Sequence, residues 1–167
     1  FIGTLVTTTM LVSPEGDTSI AFLRLAAAST ILFFLGLKDD LSRLDPIKKL
    51  VAQLAVGAIL IFGGGFMISD FEGLFGFYAI NTWIAIPFSL FVYIVVVNSV
   101  NLIDGVDTLA GGYGFLVAIS CALWFQLTGQ PDFAILCLAL AGSLAGFILF
   151  NISPARIFLG DSGSLLL

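Results

Sequence analysis

Long apolar segments recur along this chain, and they constrain its fold more than any other feature. Each can cross about 30 Å of hydrocarbon as a helix, whose backbone hydrogen bonds are satisfied within the segment. Charged residues make up only 10% of the chain, against roughly 25% in soluble domains. The sequence therefore predicts an all-α integral membrane protein, built as a polytopic bundle of transmembrane helices.

Five full spans are predicted, with a partial span at each end. The chain begins and ends inside apolar runs, so we expect residues 1–167 to be a fragment of a single transmembrane catalytic domain, truncated at both ends. Pro87 and the run Gly63, Gly64 and Gly65 predict a kink or a broken helix end. The predicted spans are 20–37, 50–68, 83–97, 113–127 and 133–150.

Basic residues lie in loops on one side of these spans, apart from Arg24 inside the first span. They are Lys38, Arg43, Lys48, Lys49 and Arg156. The loops without lysine or arginine are 13–18, 69–82 and 128–132. By the positive-inside rule the basic side is cytoplasmic. Loops 38–49, 98–112 and 151–163 then emerge on this face, which holds six of the eleven acidic residues.

The segment ISDFEGLFGFYAINTW joins the second and third spans on the opposite, extracytoplasmic side. Glycines among aromatic residues and the lack of a helical stripe predict a short hairpin or an interfacial segment. A plain connecting loop is an equal alternative. Tyr78 and Trp83 are typical of the aromatic belt at a membrane interface.

The first cytoplasmic loop begins with a pair of carboxylates, Asp39 and Asp40, directly after an apolar helix. Acids near a helix C-terminus are unfavourable because that end already carries partial negative charge. The pair therefore indicates a functional site, unless Lys38 and Arg43 neutralise it as a loop network.

Two other features have structural explanations. Asp45 before Pro46 is expected to cap the N-terminus of the next helix. Cys121 and Cys137 lie inside apolar spans, and we interpret them as small buried hydrophobic residues rather than as a disulfide or a metal site.

In the second cytoplasmic loop, amides and acids recur at every third position. If the helix continues past Val97, they share one face at the mouth of the bundle, where burying them is costly unless something binds them. The alternative is an Asx-rich turn before a glycine-rich helix start. The four residues are Asn98, Asn101, Asp104 and Asp107.

The third cytoplasmic loop places Asp161 between Gly160 and Gly163, at the start of an apolar run. A helix beginning here would direct backbone N–H groups at an anion, and glycine permits close approach by a ligand. The alternative is that Asp161 is a simple N-cap. Phe158 is expected to be a lipid-facing or core aromatic residue, or a stacking platform for a base.

Acids from three loops on one membrane face indicate a divalent cation. The chain has no histidine, so its chemistry must use carboxylates, amides and lysines. Mg²⁺ prefers a few carboxylates together with phosphate oxygens, which predicts a phosphate-bearing substrate. Lys49 and the amides suit a nucleotide or a diphosphate.

Three motifs, KDD, NLIDGVDTLAGG and FNISPARIFLGDSGS, resemble those of the polyprenyl-phosphate N-acetylhexosamine-1-phosphate transferases in order, spacing and membrane side. The resemblance implies transfer of a sugar 1-phosphate from a UDP-sugar to a polyprenyl phosphate such as undecaprenyl phosphate, with release of UMP. It also implies an enzyme of the bacterial inner membrane that uses Mg²⁺, or alternatively Mn²⁺, with its active site on the cytoplasmic face. We expect no nucleic-acid partner, and a homodimer is one expectation for its assembly.

The resemblance also assigns roles to individual residues. Asp39 and Asp40 match the catalytic aspartate pair, with Asp39 deprotonating or orienting the lipid phosphate. Asp161 matches the Mg²⁺-binding aspartate, and Asp104 and Asp107 match catalytic positions of the polar motif that lines the cleft. Substrate-binding positions are matched by Lys49, Asn98, Asn101, Asn151 and Phe158, the last two in nucleoside recognition, with the phenylalanine stacking on uracil.

Some features depart from the family or leave alternatives open. Thr108 stands where the family usually has glycine, and the family's histidine-containing cytoplasmic motif and N-terminal helices are missing. The motifs look closer to the branch that transfers N-acetylglucosamine 1-phosphate in envelope polysaccharide and lipopolysaccharide synthesis than to the alternative, the phospho-MurNAc-pentapeptide transferase of peptidoglycan synthesis. Direct attack by the lipid phosphate is favoured over an aspartyl-phosphate intermediate. Outside the family, the alternatives are a membrane cation transporter and a structural subunit.

Overall fold

The computed structural model describes residue 4, residues 17–63 and residues 65–167. The predicted partial span at the N-terminus, most of the loop 13–18 and Gly64 lie outside these residues. Helices account for most of the described chain: α1 Asp17–Ser42, α2 Pro46–Ala58, α3 Thr82–Ile103, α4 Leu109–Leu127, α5 Pro131–Asn151 and the short α6 Gly160–Ser164. Five helical spans are long and apolar enough to cross a membrane, with α2 counted together with the helical turn that extends it to Gly63, so the predicted all-α polytopic fold is confirmed.

Polar residues at the ends of the spans nearest the predicted site are helical, which corrects the predicted boundaries. Asp39 and Asp40 lie in the last turn of α1 rather than in a loop, and α3 continues through Asn98 and Asn101 to Ile103. Hydropathy marks only the part of a helix that meets lipid, whereas tertiary contacts keep these polar turns helical. The remaining loop between α1 and α2 is only three residues long, 43–45.

Local capping explains where α2 begins and how it ends. Asp45 accepts a hydrogen bond from the Ile47 amide at 2.9 Å, which confirms the predicted N-cap before Pro46. At its other end α2 passes into a π-helical turn, Ile59–Gly63, five residues short of the predicted span end. The irregular helix end predicted at the glycine run is thus confirmed.

The segment between α2 and α3 forms the predicted hairpin. Asp70 and Ala79 form an antiparallel bridge, and the Gly73 amide donates to the Phe77 carbonyl at 2.8 Å. A 3-10 turn, Leu74–Gly76, closes the hairpin. Because it follows the end of α2 and precedes the start of α3, it lies at the opposite end of these helices from Lys49 and Asp104.

Small residues bring the helices close together. A Cβ on Gly111 of α4 would lie 2.9 Å from the Phe147 ring of α5. Ala28 and Leu32 of α1 pack with Val56 of α2 as a buried cluster. Large apolar side chains cover the outer faces of the spans and are exposed, as a lipid-facing surface requires; examples are Phe34, Phe91, Leu116, Trp124 and Leu138.

The two cysteines lie in α4 and α5 and are free thiols. Each is half-buried, so Cys121 and Cys137 are less enclosed than predicted. Their expected role as small apolar residues of the spans, without a disulfide, agrees with the structure.

Candidate active site

A lysine shared by two carboxylates forms the centre of the site. Lys49 Nζ lies 2.9 Å from Asp39 Oδ2 and 2.9 Å from Asp161 Oδ2. These residues come from the end of α1, the first turns of α2 and the start of α6, and their side chains are only 10% to 26% exposed. One ammonium against two carboxylates leaves the cluster with a net negative charge, which favours a further cation. We call these three residues the charged centre.

The alternative explanation of the aspartate pair, neutralisation by Lys38 and Arg43, is wrong. Among the residues described here, Lys38 and Arg43 form no ion pair with Asp39 or Asp40. Lys49, which lies 10 positions after Asp39, supplies the compensating charge instead.

Asn101 fixes the second oxygen of Asp161. Its Nδ2 donates both to Asp161 Oδ1 and to the hydroxyl oxygen of Ser164, the latter at 2.7 Å. Ser164 is fully buried. The N-cap position of α6 is Leu159, so the interpretation of Asp161 as a simple N-cap is wrong. Its side chain is held by Lys49 and Asn101 instead.

Asp40 faces away from the charged centre and binds the backbone of α6. Its Oδ1 accepts from the Asp161 amide at 2.8 Å and its Oδ2 from the Ser162 amide at 3.0 Å. The amides that were expected to face a substrate anion are therefore occupied by an acid of the chain itself, which corrects that prediction.

Asp104 also holds α6. It occupies the C-cap position of α3, and its Oδ2 accepts from the Gly160 amide at 3.0 Å. Burial raises the pKa of Asp104 above its ordinary value, and the negative charges of Asp161 and Asp40 act in the same direction. The Gly160 amide opposes this rise.

Asp107 lies beyond the end of α3 and leaves the predicted helical face. The helix ends at Ile103, so the face predicted for four residues contains Asn98 and Asn101 and reaches Asp104. In the turn that follows, Asp107 Oδ2 accepts from the Ala155 amide at 3.1 Å. It thereby connects the turn after α3 to the segment between α5 and α6.

Thr108 adopts a backbone conformation that suits glycine better than threonine. Its φ is 67°, in the left-handed region that a β-branched residue rarely occupies. Its amide donates to Asn151 Oδ1 at 2.7 Å and its hydroxyl to the Asn151 carbonyl at 3.1 Å. These two hydrogen bonds offset strain of about 1–3 kcal/mol.

Asn151 is buried and connects the second and third loops through hydrogen bonds. It is 2% exposed, and its Nδ2 donates to the Ile157 carbonyl at 2.7 Å. With Thr108 on its oxygen, both ends of the amide are used within the chain. Nucleoside recognition by Asn151 stays a prediction.

Gln53 belongs to the site and was missed in the sequence. It is fully buried in α2, and Asn98 Nδ2 donates to its Oε1 at 3.0 Å. The Asn98 Nδ2 also donates to the Ile94 carbonyl at 2.8 Å. The sequence did contain a signal for Gln53, because it is a single amide in an apolar helix. It lies one turn after Lys49 and therefore on the same helical face.

Gly36 is the second residue that the sequence analysis missed. A Cβ at this position of α1 would lie 2.5 Å from the Ser162 Cα, so only glycine lets α6 contact α1 this closely. In the sequence Gly36 is one of 18 glycines, and nothing local distinguishes it.

Phe158 lies just before α6 and is 56% exposed. It is therefore not a core residue, and the remaining interpretations are lipid contact and stacking on a base.

A cavity of about 700 Å³ opens beside the charged centre, within the usual size range of small-molecule sites. It lies between the end of α1, α2 and α3. Its polar wall is formed by Asp39, Lys49, Gln53 and Asn98. Its apolar wall includes Leu44, Leu50, Ile94, Val95 and Leu102.

Comparison with known proteins agrees with this geometry. The sequence profile described as "Glycosyl transferase family 4" matches residues 22–167, which include all three motifs. The chain belongs to glycosyl transferase family 4. The resemblance read from the three motifs is thereby confirmed.

Three curated relatives of this family 4 chain have the name phospho-N-acetylmuramoyl-pentapeptide-transferase. That of Synechococcus sp. (strain WH7803) is 35% identical over 170 residues, covering 93% of this chain and 46% of the relative. That of Clostridium perfringens (strain SM101 / Type A) is 37% identical over 148 residues, covering 80% and 45%. That of Clostridioides difficile (strain 630) is 33% identical over 147 residues, covering 80% and 46%. The chain thus spans about half the length of these relatives.

The donor set of this family 4 site suits a metal that arrives with phosphate. In the described part of the chain, no three His, Cys, Asp or Glu side chains are grouped closely enough to hold a metal alone. Asp39 and Asp161 flank a single ammonium group. Mg²⁺ needs only one or two carboxylates when substrate phosphates and water complete its shell. The residues present therefore fit a Mg²⁺ ion only where substrate phosphates supply part of its shell.

Proposed function

We propose that this protein is a phospho-N-acetylmuramoyl-pentapeptide transferase, which transfers a sugar 1-phosphate from a UDP-sugar to a polyprenyl phosphate. The observation that carries the proposal is the charged centre, in which Lys49 joins Asp39 and Asp161 at the mouths of transmembrane helices. The shared name of the relatives supports the pentapeptide substrate. It favours the alternative over the N-acetylglucosamine 1-phosphate transfer that the motifs first suggested.

The proposed reaction is a phosphoryl transfer between two phosphate groups. An oxygen of the polyprenyl phosphate forms a bond to the sugar-bearing phosphorus of the UDP-sugar. The bond from that phosphorus to the oxygen bridging the two phosphates breaks, and UMP leaves. Such reactions depend mainly on positioning and charge stabilisation, which a site built from carboxylates, amides and lysine supplies without histidine.

Each residue of the charged centre has a proposed part in this reaction. Lys49 neutralises negative charge on the diphosphate, and Asp39 orients the lipid phosphate. Asp161 would provide a carboxylate ligand for Mg²⁺. A bound Mg²⁺ would neutralise diphosphate oxygens and stabilise the charge on the leaving phosphate. Asn101 keeps Asp161 in place through its amide.

The contacts of Asp39 support direct attack over an aspartyl-phosphate route. Its Oδ1 accepts from the Leu44 amide at 2.5 Å, and its Oδ2 pairs with Lys49. A nucleophilic carboxylate needs an oxygen free to approach phosphorus, and here both oxygens are already engaged.

The cavity supports a lipid acceptor. A polyprenyl phosphate keeps its tail in hydrocarbon and its charged group at the interface, so its site needs one polar and one apolar wall. Lys49 and Asp39 provide the first, and Leu50 and Val95 belong to the second. We place this site on the cytoplasmic face, as the positive-inside rule indicates.

A comparison of two donors tests the proposal. The purified protein is incubated with undecaprenyl phosphate, Mg²⁺ and either UDP-MurNAc-pentapeptide or UDP-GlcNAc, and UMP release is measured. We expect turnover of the pentapeptide donor alone. Turnover of UDP-GlcNAc alone would instead support the transfer of N-acetylglucosamine 1-phosphate that the motifs first suggested. Release from neither donor, combined with Mg²⁺ flux in proteoliposomes, would replace the transferase with a cation transporter.

A further inference from the structure

We propose that Asp40 is a positioning residue: it holds the backbone of α6, and through it the carboxylate of Asp161, and it does not react with substrate. The inference concerns the second member of the aspartate pair that the sequence assigned to catalysis. It rests on the proposed function for its activity measurement, while its exchange measurement is independent of any reaction.

The contacts of Asp40 are those of a helix cap supplied from another helix. The first N–H groups of a helix have no partner within it, and α6 has no side-chain cap from its own N-cap residue. Asp40 accepts from the amides of Asp161 and Ser162 with one carboxylate oxygen each, at 2.8 and 3.0 Å. Asp40 and Asp161 are 121 positions apart in the chain.

Neighbouring contacts leave Asp40 little freedom to do anything else. Gly160 has a φ of +64°, and a Cβ there would lie 3.0 Å from both Asp40 oxygens, so the carboxylate is packed against this glycine. On the other side, Gly36 of the same helix as Asp40 contacts the backbone of Asp161 and Ser162. α6 is therefore fixed to the end of α1 by close backbone approach and by two hydrogen bonds.

The adjacent Asp39 has a different environment. Successive residues of a helix point about 100° apart, so the two carboxylates of the pair face different surroundings. Asp39 faces Lys49 in the charged centre, whereas Asp40 faces the α6 backbone. Asp39 therefore lies at the reacting groups, whereas Asp40 positions Asp161 next to them.

Matched substitutions at the two positions test this division. Asp40→Asn keeps one oxygen acceptor and loses one strong hydrogen bond, so we expect about a tenfold loss of UMP release. Asp40→Ala leaves two amides unpaired, and we expect a loss of about 100-fold or more. The pH dependence of turnover should keep its shape in Asp40→Asn. At Asp39, Asn and Ala should be equally inactive.

Hydrogen exchange gives the readout that needs no activity. In Asp40→Ala the amides of Asp161 and Ser162 should exchange faster than in the wild type, and in Asp39→Ala they should not. If Asp40→Asn is as inactive as Asp40→Ala, or if its pH profile loses a limb, Asp40 reacts with substrate and the inference is overturned. Unchanged exchange in Asp40→Ala also overturns it. A wild type that releases no UMP from either donor refutes the proposed function, and exchange alone then decides the role of Asp40.

Discussion

At the scale of single residues, the site uses few charges, and each carboxylate has a defined partner within the chain. Asp39 and Asp161 share Lys49, Asp40 and Asp104 hold α6, and Asp107 holds the third loop. Acids that looked alike in the sequence therefore make different contacts, because a buried polar group must be paired within the structure.

Lys49 offers a test with an internal control. Lys49→Met removes the ammonium between two largely buried carboxylates, and we expect UMP release to fall about 100-fold or more. Lys48→Met changes the neighbouring lysine, which is exposed, and should leave the rate near that of the wild type. Both variants are compared under initial-rate conditions with the same donor. Equal losses in the two would show that only overall positive charge matters.

Thr108 tests the strain of a left-handed backbone. Thr108→Gly removes a strain of about 1–3 kcal/mol and loses one hydrogen bond worth about 1 kcal/mol, so stability should stay near that of the wild type. Thr108→Ala keeps the strain and loses the hydroxyl bond to Asn151, so the free energy of unfolding should fall by about 1 kcal/mol. Thermal unfolding in detergent measures the relative stabilities of the wild type and the two variants. An alanine variant more stable than the glycine variant would contradict this account.

At the scale of elements, short helices and turns at the bundle mouth depend on the long spans. α6 has only five residues, too few to be stable alone, and it is held by α1 through Gly36 and Asp40. α2 and α3 are likewise joined near the site by the pair Gln53 and Asn98.

The contact between α1 and α6 is testable at Gly36. Gly36→Ala places a methyl group 2.5 Å from the Ser162 Cα, so α6 must move and UMP release should fall at least about tenfold. Gly142→Ala in α5 is the matched control, because nothing lies within 4 Å of its added Cβ. That variant should be neutral or slightly stabilising, by up to about 1 kcal/mol. Normal turnover in Gly36→Ala would show that α1 does not position α6.

The link between α2 and α3 is testable with a double-mutant cycle. Gln53→Leu leaves Asn98 without one partner inside the bundle, and we expect a loss of about 1–2 kcal/mol in stability. Replacing both residues by leucine removes both polar groups, so the double variant should be more stable than the sum of the single changes predicts. Chemical unfolding of the four proteins measures the coupling. Strict additivity would show that the pair contributes nothing.

At the scale of the whole molecule, the bilayer brings distant segments together. Each span takes the chain to the opposite side of the membrane, so the C-terminal ends of α1, α3 and α5 lie at the same face. The charged centre uses residues separated by 112 positions, and contact at such distances needs every intervening span to cross. A single misplaced span would separate Asp161 from Lys49.

Membrane orientation has a direct test in intact cells. Cys121 and Cys137 are first replaced by alanine, and a single cysteine is introduced as Phe75→Cys or as Ser42→Cys. Phe75 lies at the hairpin tip and is 89% exposed, whereas Ser42 is exposed at the site end of α1. A membrane-impermeant maleimide should label the hairpin variant from outside and the other only after permeabilisation. The opposite pattern would invert the orientation.

The fold and the location of the site were predictable from the sequence, while the roles within the site were not. Apolar length defined the spans, and three acidic segments indicated a shared face, because hydropathy is local and the bilayer imposes alternation. Span ends were misplaced because polar turns such as Asn98 to Asn101 stay helical only through contacts with other helices.

The sequence alone determined that this chain crosses a membrane and gathers acids at one side, since both follow from local composition and the parity of crossings. Only the tertiary structure decided that Lys49 pairs with Asp39 and Asp161, that Asp40 caps α6 and that Gly36 makes room for it. Those partners are far apart in the chain, and no periodicity within one segment can report which side chains meet across a packed bundle.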